Sequence, residues 1–223
     1  MKRVAVILSG CGVMDGSEIH EATLSLLYLD QAKVATQCFA PNKDQLDVID
    51  HKTNELISRQ KRNTLSESAR IARGKILPLS ELKVDQFNAL IFPGGFGAAK
   101  NLTTFALDGP DCTIDAEVAT IIQQAIAKSR AIGAICIAPV VVARALRDSG
   151  VSPRLTIGDD PEVIEALRKM NAEPISAKVS DIVVDEKLKI VSTPAYMLAT
   201  GIAEAARGIN KLIEKVLEIA PQT

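Results

Sequence analysis

The chain has no tryptophan, 3% aromatic residues and two histidines among 223 residues. It therefore lacks the stacked rings on which single-stranded nucleic acid lies. Neither sign of charge dominates: 26 basic residues stand against 27 acidic ones, leaving a net charge of −1. That balance excludes an electrostatic footprint for nucleic acid or for an anionic membrane surface. No apolar run approaches the roughly 18 residues that span a bilayer. Val4-Ala5-Val6-Ile7-Leu8, after Lys2-Arg3, has the flavour of a leader peptide, yet it stops at Ser9-Gly10-Cys11-Gly12 and suits a buried first strand with its turn. The expected location is cytoplasmic. Cys11, Cys38, Cys112 and Cys136 are widely spaced, and His20 and His51 lack metal-finger intervals, so reduced thiols and no metal are expected.

What the chain does have is 47% hydrophobic residues, enough for one substantial core, and residues 1–223 are read as a single domain. Apolar runs at Val4–Leu8, Lys33–Ala40, Asn88–Phe92 and Ala131–Ile135 read as strands. Helical stripes follow them, including Ile114–Lys128 with Val118, Ile121, Ile122 and Ile126 on one side. Later come a short strand at Arg154–Ile157, a helix at Pro161–Met170, and a hairpin of Ile182–Val184 with Leu188–Val191. A last helix is expected to open at Ser192-Thr193-Pro194 and run to Ile219. The polar stretch from Pro41 to Lys75, with a short helix near Ser66–Arg73, reads as an insertion at the sheet edge. Alternation of this kind implies an α/β sandwich with a mostly parallel sheet.

Three loops carry candidate chemistry. In Ala131-Ile132-Gly133-Ala134-Ile135-Cys136-Ile137-Ala138-Pro139, a buried strand meets a helix whose first turn accepts proline, so Cys136 occupies a tight turn at the carboxyl edge of the sheet. The free N–H groups there favour an anion and should lower the thiol pKa; the alternative is a buried, inert cysteine. Pro93-Gly94-Gly95-Phe96-Gly97 also follows a strand, and Gly94 and Gly95 with Ile137 are candidate oxyanion donors. Neither this loop nor Gly10, Gly12 and Gly16 has the spacing of a mononucleotide or dinucleotide site, so no cofactor is expected. A helix capped by Ser17 carries Glu18 and Glu21 three residues apart, either of them a candidate proton carrier or a plain favourable charge in a first turn. His20 could turn into the helix packing, and His51 reads as a solvated surface residue.

Together, Ser9–Gly12 with Asp15-Gly16-Ser17-Glu18-Ile19-His20-Glu21, Pro93–Leu102, Ile135-Cys136-Ile137-Ala138-Pro139 and Thr193-Pro194-Ala195-Tyr196-Met197 resemble the ThiJ/PfpI superfamily of class I glutamine amidotransferase-like proteins, and within it a bacterial glyoxalase branch. The resemblance implies a flavodoxin-like three-layer sandwich, an isologous homodimer, Cys136 as nucleophile, and Glu21 as its carboxyl partner with Glu18 in reserve. It further implies a cofactor-independent conversion of a small dicarbonyl, glyoxal, to glycolate. Where protease and amidotransferase branches place a histidine after the nucleophile, this chain has Ile137. A redox-sensing or binding protein using the same thiol is the competing expectation, and an accessory role in isoprenoid metabolism is a third.

Overall fold

The computed structural model describes residues 1–222. Strand β1 (Arg3–Ile7) leads through helix α1 (Ile19–Gln31) to β2 (Ala35–Ala40). The polar insertion follows, with a two-stranded hairpin of β3 (Ile49–Asp50) and β4 (Glu55–Leu56), helix α2 (Thr64–Ile71) and the short strand β5 (Ile76–Pro78). The chain then crosses to β6 (Ala89–Phe92), passes the short α3 (Phe105–Asp108), and continues through α4 (Ala116–Ala127), β7 (Ala131–Ile135) and α5 (Pro139–Leu146). Beyond it lie β8 (Arg154–Leu155), α6 (Pro161–Lys169), β9 (Glu173–Pro174), β10 (Val183–Asp185), β11 (Ile190–Thr193) and α7 (Ile202–Ile219).

Seven strands form one sheet in the order β10-β11-β7-β6-β1-β2-β5, parallel except where β10 meets β11. β6 and β7 are buried at every position because helices cover both faces, which is why they are written in Ala, Ile, Leu, Gly and Phe. One face packs Leu90, Phe92, Ile132 and Ala134 against α4 and α5. The other packs Val4, Val6, Ile91 and Val191 against α1 and α7, and α7 presents Ile209, Leu212, Ile213 and Val216 as a helical stripe. This is the expected α/β three-layer, flavodoxin-like arrangement. β1 pairs with β2 on one side and β6 on the other, and at such a reversal the loops beyond the carboxyl ends part to leave a crevice.

Two local expectations are corrected. Ser17 does not cap α1: its Oγ accepts the N–H of Ser9 at 2.9 Å, and Glu18 is the cap, accepting the N–H of Glu21 at 2.7 Å. The last helix begins at Ile202 instead of near Ser192, because Ser192 and Thr193 still pair with Ala134 and Ile135 in the sheet. The polar insertion lies at the sheet edge as expected, between β2 and the edge strand β5. Among the described residues, no helix is long and apolar enough to cross a membrane.

Candidate active site

Four adjacent strands each deliver one piece of the site. β7 ends at Cys136, whose φ of 61° lies in the left-handed region that only glycine enters without strain. The kink is anchored by the Cys136 N–H, which donates to the carbonyl of Thr193 at 3.0 Å, and it raises the side chain above the sheet edge before α5 starts at Pro139. Cys136 is 8% exposed and lines a cavity. The N–H groups of Gly95 and Ile137 lie close enough to its sulfur to pull the thiol pKa down.

α1 supplies Glu21, which is fully buried. In a reciprocal cap the side chain three residues into the helix would reach back to the cap's own N–H. Here the Glu18 N–H is already taken by the carbonyl of Gly94 at 3.0 Å, and the Glu21 carboxyl turns to the strand ends instead. Its Oε2 accepts the Gly94 N–H at 2.9 Å, its Oε1 accepts the Tyr196 N–H at 3.2 Å, and it lies beside Cys136. Gly94 separates the two groups and has no room for a side chain: a Cβ there would stand 2.5 Å from the Cβ of Cys136 and 2.7 Å from Oε2 of Glu21.

Burial first, and then the charge of Glu18, push the Glu21 carboxyl up to about 8, against hydrogen bonds from Tyr196, Cys136 and Gly94 that pull it down. It holds its proton at neutral pH. Burial also pushes the Cys136 thiol up, followed by the charge and hydrogen bond of Glu21, and these outweigh the Gly95 and Ile137 amides. The expectation of a lowered thiol pKa is thereby corrected, because the turn that supplies the amides also removes the sulfur from water. Once the pair has lost one proton, the remaining one lies between carboxyl and sulfur. The carboxyl gives up its proton before the thiol does, so the pair rests as carboxylate with thiol, and the two amides stand ready for the charge when the carboxylate takes the sulfur's proton.

The structure thus brings Cys136, Glu21, Gly95 and Ile137 together. Gly94 is not a free oxyanion donor, since its N–H is spent on Glu21. Glu18 lines the cavity but serves as the helix cap. His20 does not enter the helix packing: it is exposed, and its Nδ1 lies 2.8 Å from the phenol oxygen of Tyr196. His51 is indeed on the surface, where its Nε2 accepts the Met14 N–H at 3.2 Å. Cys112 is buried in the core beneath α4 and α5, away from the cavity. Tyr196 is the site residue that sequence reasoning left without a role. Its signal is a strand ending in Thr193-Pro194-Ala195, where Ala195 adopts a φ of 42° and turns the next N–H toward Glu21.

No protein-family model matches the chain. The human glutamine amidotransferase-like class 1 domain-containing protein 3, mitochondrial, is 44% identical over 226 residues, covering 97% of this chain and 83% of that protein. The crystal structure of an isoprenoid biosynthesis protein with an amidotransferase-like domain from Ehrlichia chaffeensis is 38% identical, with a TM-score of 0.89 over 97% of this chain and 99% of its own. Drosophila melanogaster DJ-1beta, 18% identical with a TM-score of 0.54, covers 98% of this chain and 95% of its own and shares the fold. With its elbow cysteine on a flavodoxin-like sheet, the chain belongs to the glutamine amidotransferase-like class 1 domain proteins and shares the fold of ThiJ/PfpI proteins.

Proposed function

We propose that the protein is a cofactor-independent glyoxalase that converts glyoxal to glycolate. The observation that carries this reading is that Cys136 and the Glu21 carboxyl flank Gly94 from either side, with the Gly95 and Ile137 N–H groups near the sulfur. In the pair that has lost one proton, the Glu21 carboxylate takes the thiol proton as the sulfur adds to one carbonyl carbon, and the displaced electron pair settles on oxygen beside the Gly95 and Ile137 amides. Protonation by Glu21 gives a hemithioacetal. The Glu21 carboxylate then takes the proton from the sulfur-bearing carbon and returns one to the neighbouring carbon through an enediol, leaving a thioester. Water cleaves the thioester to glycolate and regenerates the thiol. One carbon is oxidised as its neighbour is reduced, so no outside oxidant enters.

Glutamine hydrolysis, which the relatives' names suggest, needs a base beside the nucleophile. His20 faces Tyr196 and His51 faces Met14, so neither serves. A redox sensor needs a resting thiolate; burial and Glu21 hold the proton on Cys136, which favours turnover over sensing. The isoprenoid role belongs to the name of the Ehrlichia protein, and no residue of this site adds to it. Purified protein should turn over glyoxal, and Cys136→Ala should lower kcat/KM at least about a hundredfold. Equal rates for the two proteins would remove the sulfur from the reaction.

A further inference from the structure

The cavity beside Cys136 has a volume of about 330 Å³. A water takes about 30 Å³ of liquid, and glyoxal fills roughly the space of two or three waters. Most of the cavity would stay empty around it. The surplus volume is bounded by Phe96, Phe105, Ala106, Ile137, Val163 and Met197, and Phe96 (45% exposed) and Val13 (39% exposed) carry the apolar surface out to the rim. Among the described residues, no lysine or arginine lines it. Its charged members are the carboxylates of Glu18 and Asp160, both engaged as helix caps. Asp160 accepts the N–H groups of Glu162 and Val163, each at 3.0 Å.

We infer that the preferred substrate class is neutral 2-oxoaldehydes carrying an aryl or branched-alkyl group, with Phe105, Val163 and Met197 setting the preference. The inference rests on the glyoxalase reading and extends it from the reacting carbons to the tail. The aldehyde carbon bonds to sulfur and is oxidised to the acid level, the ketone carbon is reduced to an alcohol, and water supplies the oxygen, giving a 2-hydroxy acid. Burying a ring in such a pocket is equivalent to about a thirtyfold gain in kcat/KM. A carboxylate or phosphate on the tail would meet Glu18 and Asp160 with no cation to compensate.

The test compares glyoxal, phenylglyoxal and 4-carboxyphenylglyoxal as substrates. It also measures whether acetophenone, which cannot react, slows alkylation of Cys136 by iodoacetamide. Expected are a preference for phenylglyoxal over glyoxal of about thirtyfold, a loss of at least about tenfold on adding the carboxylate, and protection by acetophenone. Val163→Phe should cut both the preference and the protection. Equal kcat/KM for glyoxal and phenylglyoxal, without protection, overturns the inference and leaves the glyoxalase reading standing. Protection with no turnover of any aldehyde does the reverse: the apolar selectivity of the cavity stands and the glyoxalase reading falls.

Discussion

Tyr196 donates its backbone N–H to Oε1 of Glu21 at 3.2 Å, tying the turn after the last strand to the first helix across 175 residues of chain. Because the donor is main chain, the side chain can be changed without losing it. Tyr196→Phe removes only the contact of the phenol with His20 at 2.8 Å, an exposed hydrogen bond worth about 1 kcal/mol or less. The variant should keep kcat for glyoxal within about threefold of the parent, a small change set by that one bond. A large loss of kcat in steady-state assays would make the phenol a participant.

Glu21→Gln keeps the shape of the carboxyl and removes its titration. Glyoxal turnover should fall by about 10² to 10⁴, the usual worth of a placed proton carrier. In the parent, kcat/KM should rise with pH toward an inflection near 8, where the carboxyl loses its proton. A flat profile between pH 6 and about 9 would show that this ionisation does not gate the reaction.

The same carboxyl makes folding stability depend on pH. Folded Glu21 holds its proton more tightly than the unfolded chain does, so its contribution is complete below about pH 4.5 and is lost as pH rises through about 8. Across that window it should remove about 1 kcal/mol per pH unit. Urea titrations should therefore show a steeper decline for the parent than for Glu21→Gln, and parallel slopes would refute the assignment.

Gly94→Ala forces a methyl group into the gap between Cys136 and Glu21. A loss of about 1 to 3 kcal/mol is expected from the overpacking, with a much larger proportional loss of turnover because the two reacting groups are pushed apart. Thermal denaturation beside glyoxal kinetics checks the pair. Destabilisation with full activity would show that the contact around Gly94 is incidental.

At position 136 the left-handed backbone favours glycine over any residue with a Cβ. Cys136→Gly and Cys136→Ala should both be inactive, yet the glycine variant should be the more stable by about 1 kcal/mol. Chemical denaturation of the two gives the difference directly, and the opposite order would mean that the turn relaxes when the sulfur is gone.

Much of the architecture was legible because its signals are strong. β6 and β7 are uninterrupted apolar runs, and Cys136 followed by Pro139 marks a strand entering a helix. β5 was not legible: three residues ending in a proline, with Leu77 exposed, carry no alternation. Ser192 and Thr193 mimic a helix cap, but their hydroxyls serve the sheet region instead, Ser192 accepting from Thr156 and Thr193 donating to Asp181. Glu18 and Glu21 are chemically alike and three apart, so only the cap geometry assigns one to the helix end and the other to the sulfur. The upward shift of the thiol depends on burial and on a neighbour from helix α1, neither of which has a local signature. The Tyr196 contribution is a backbone N–H, identical in every residue but proline, and no residue type announces it.

The four pieces of the site hang from β1, β6, β7 and β11, and the amide that follows the last of these comes 175 residues after Glu21. A ribosome must therefore release everything from β1 through Tyr196 before Glu21 can find the amide that orients it. Until then Cys136 is an ordinary thiol on an unfinished sheet, without the carboxyl that Tyr196 helps to hold beside it.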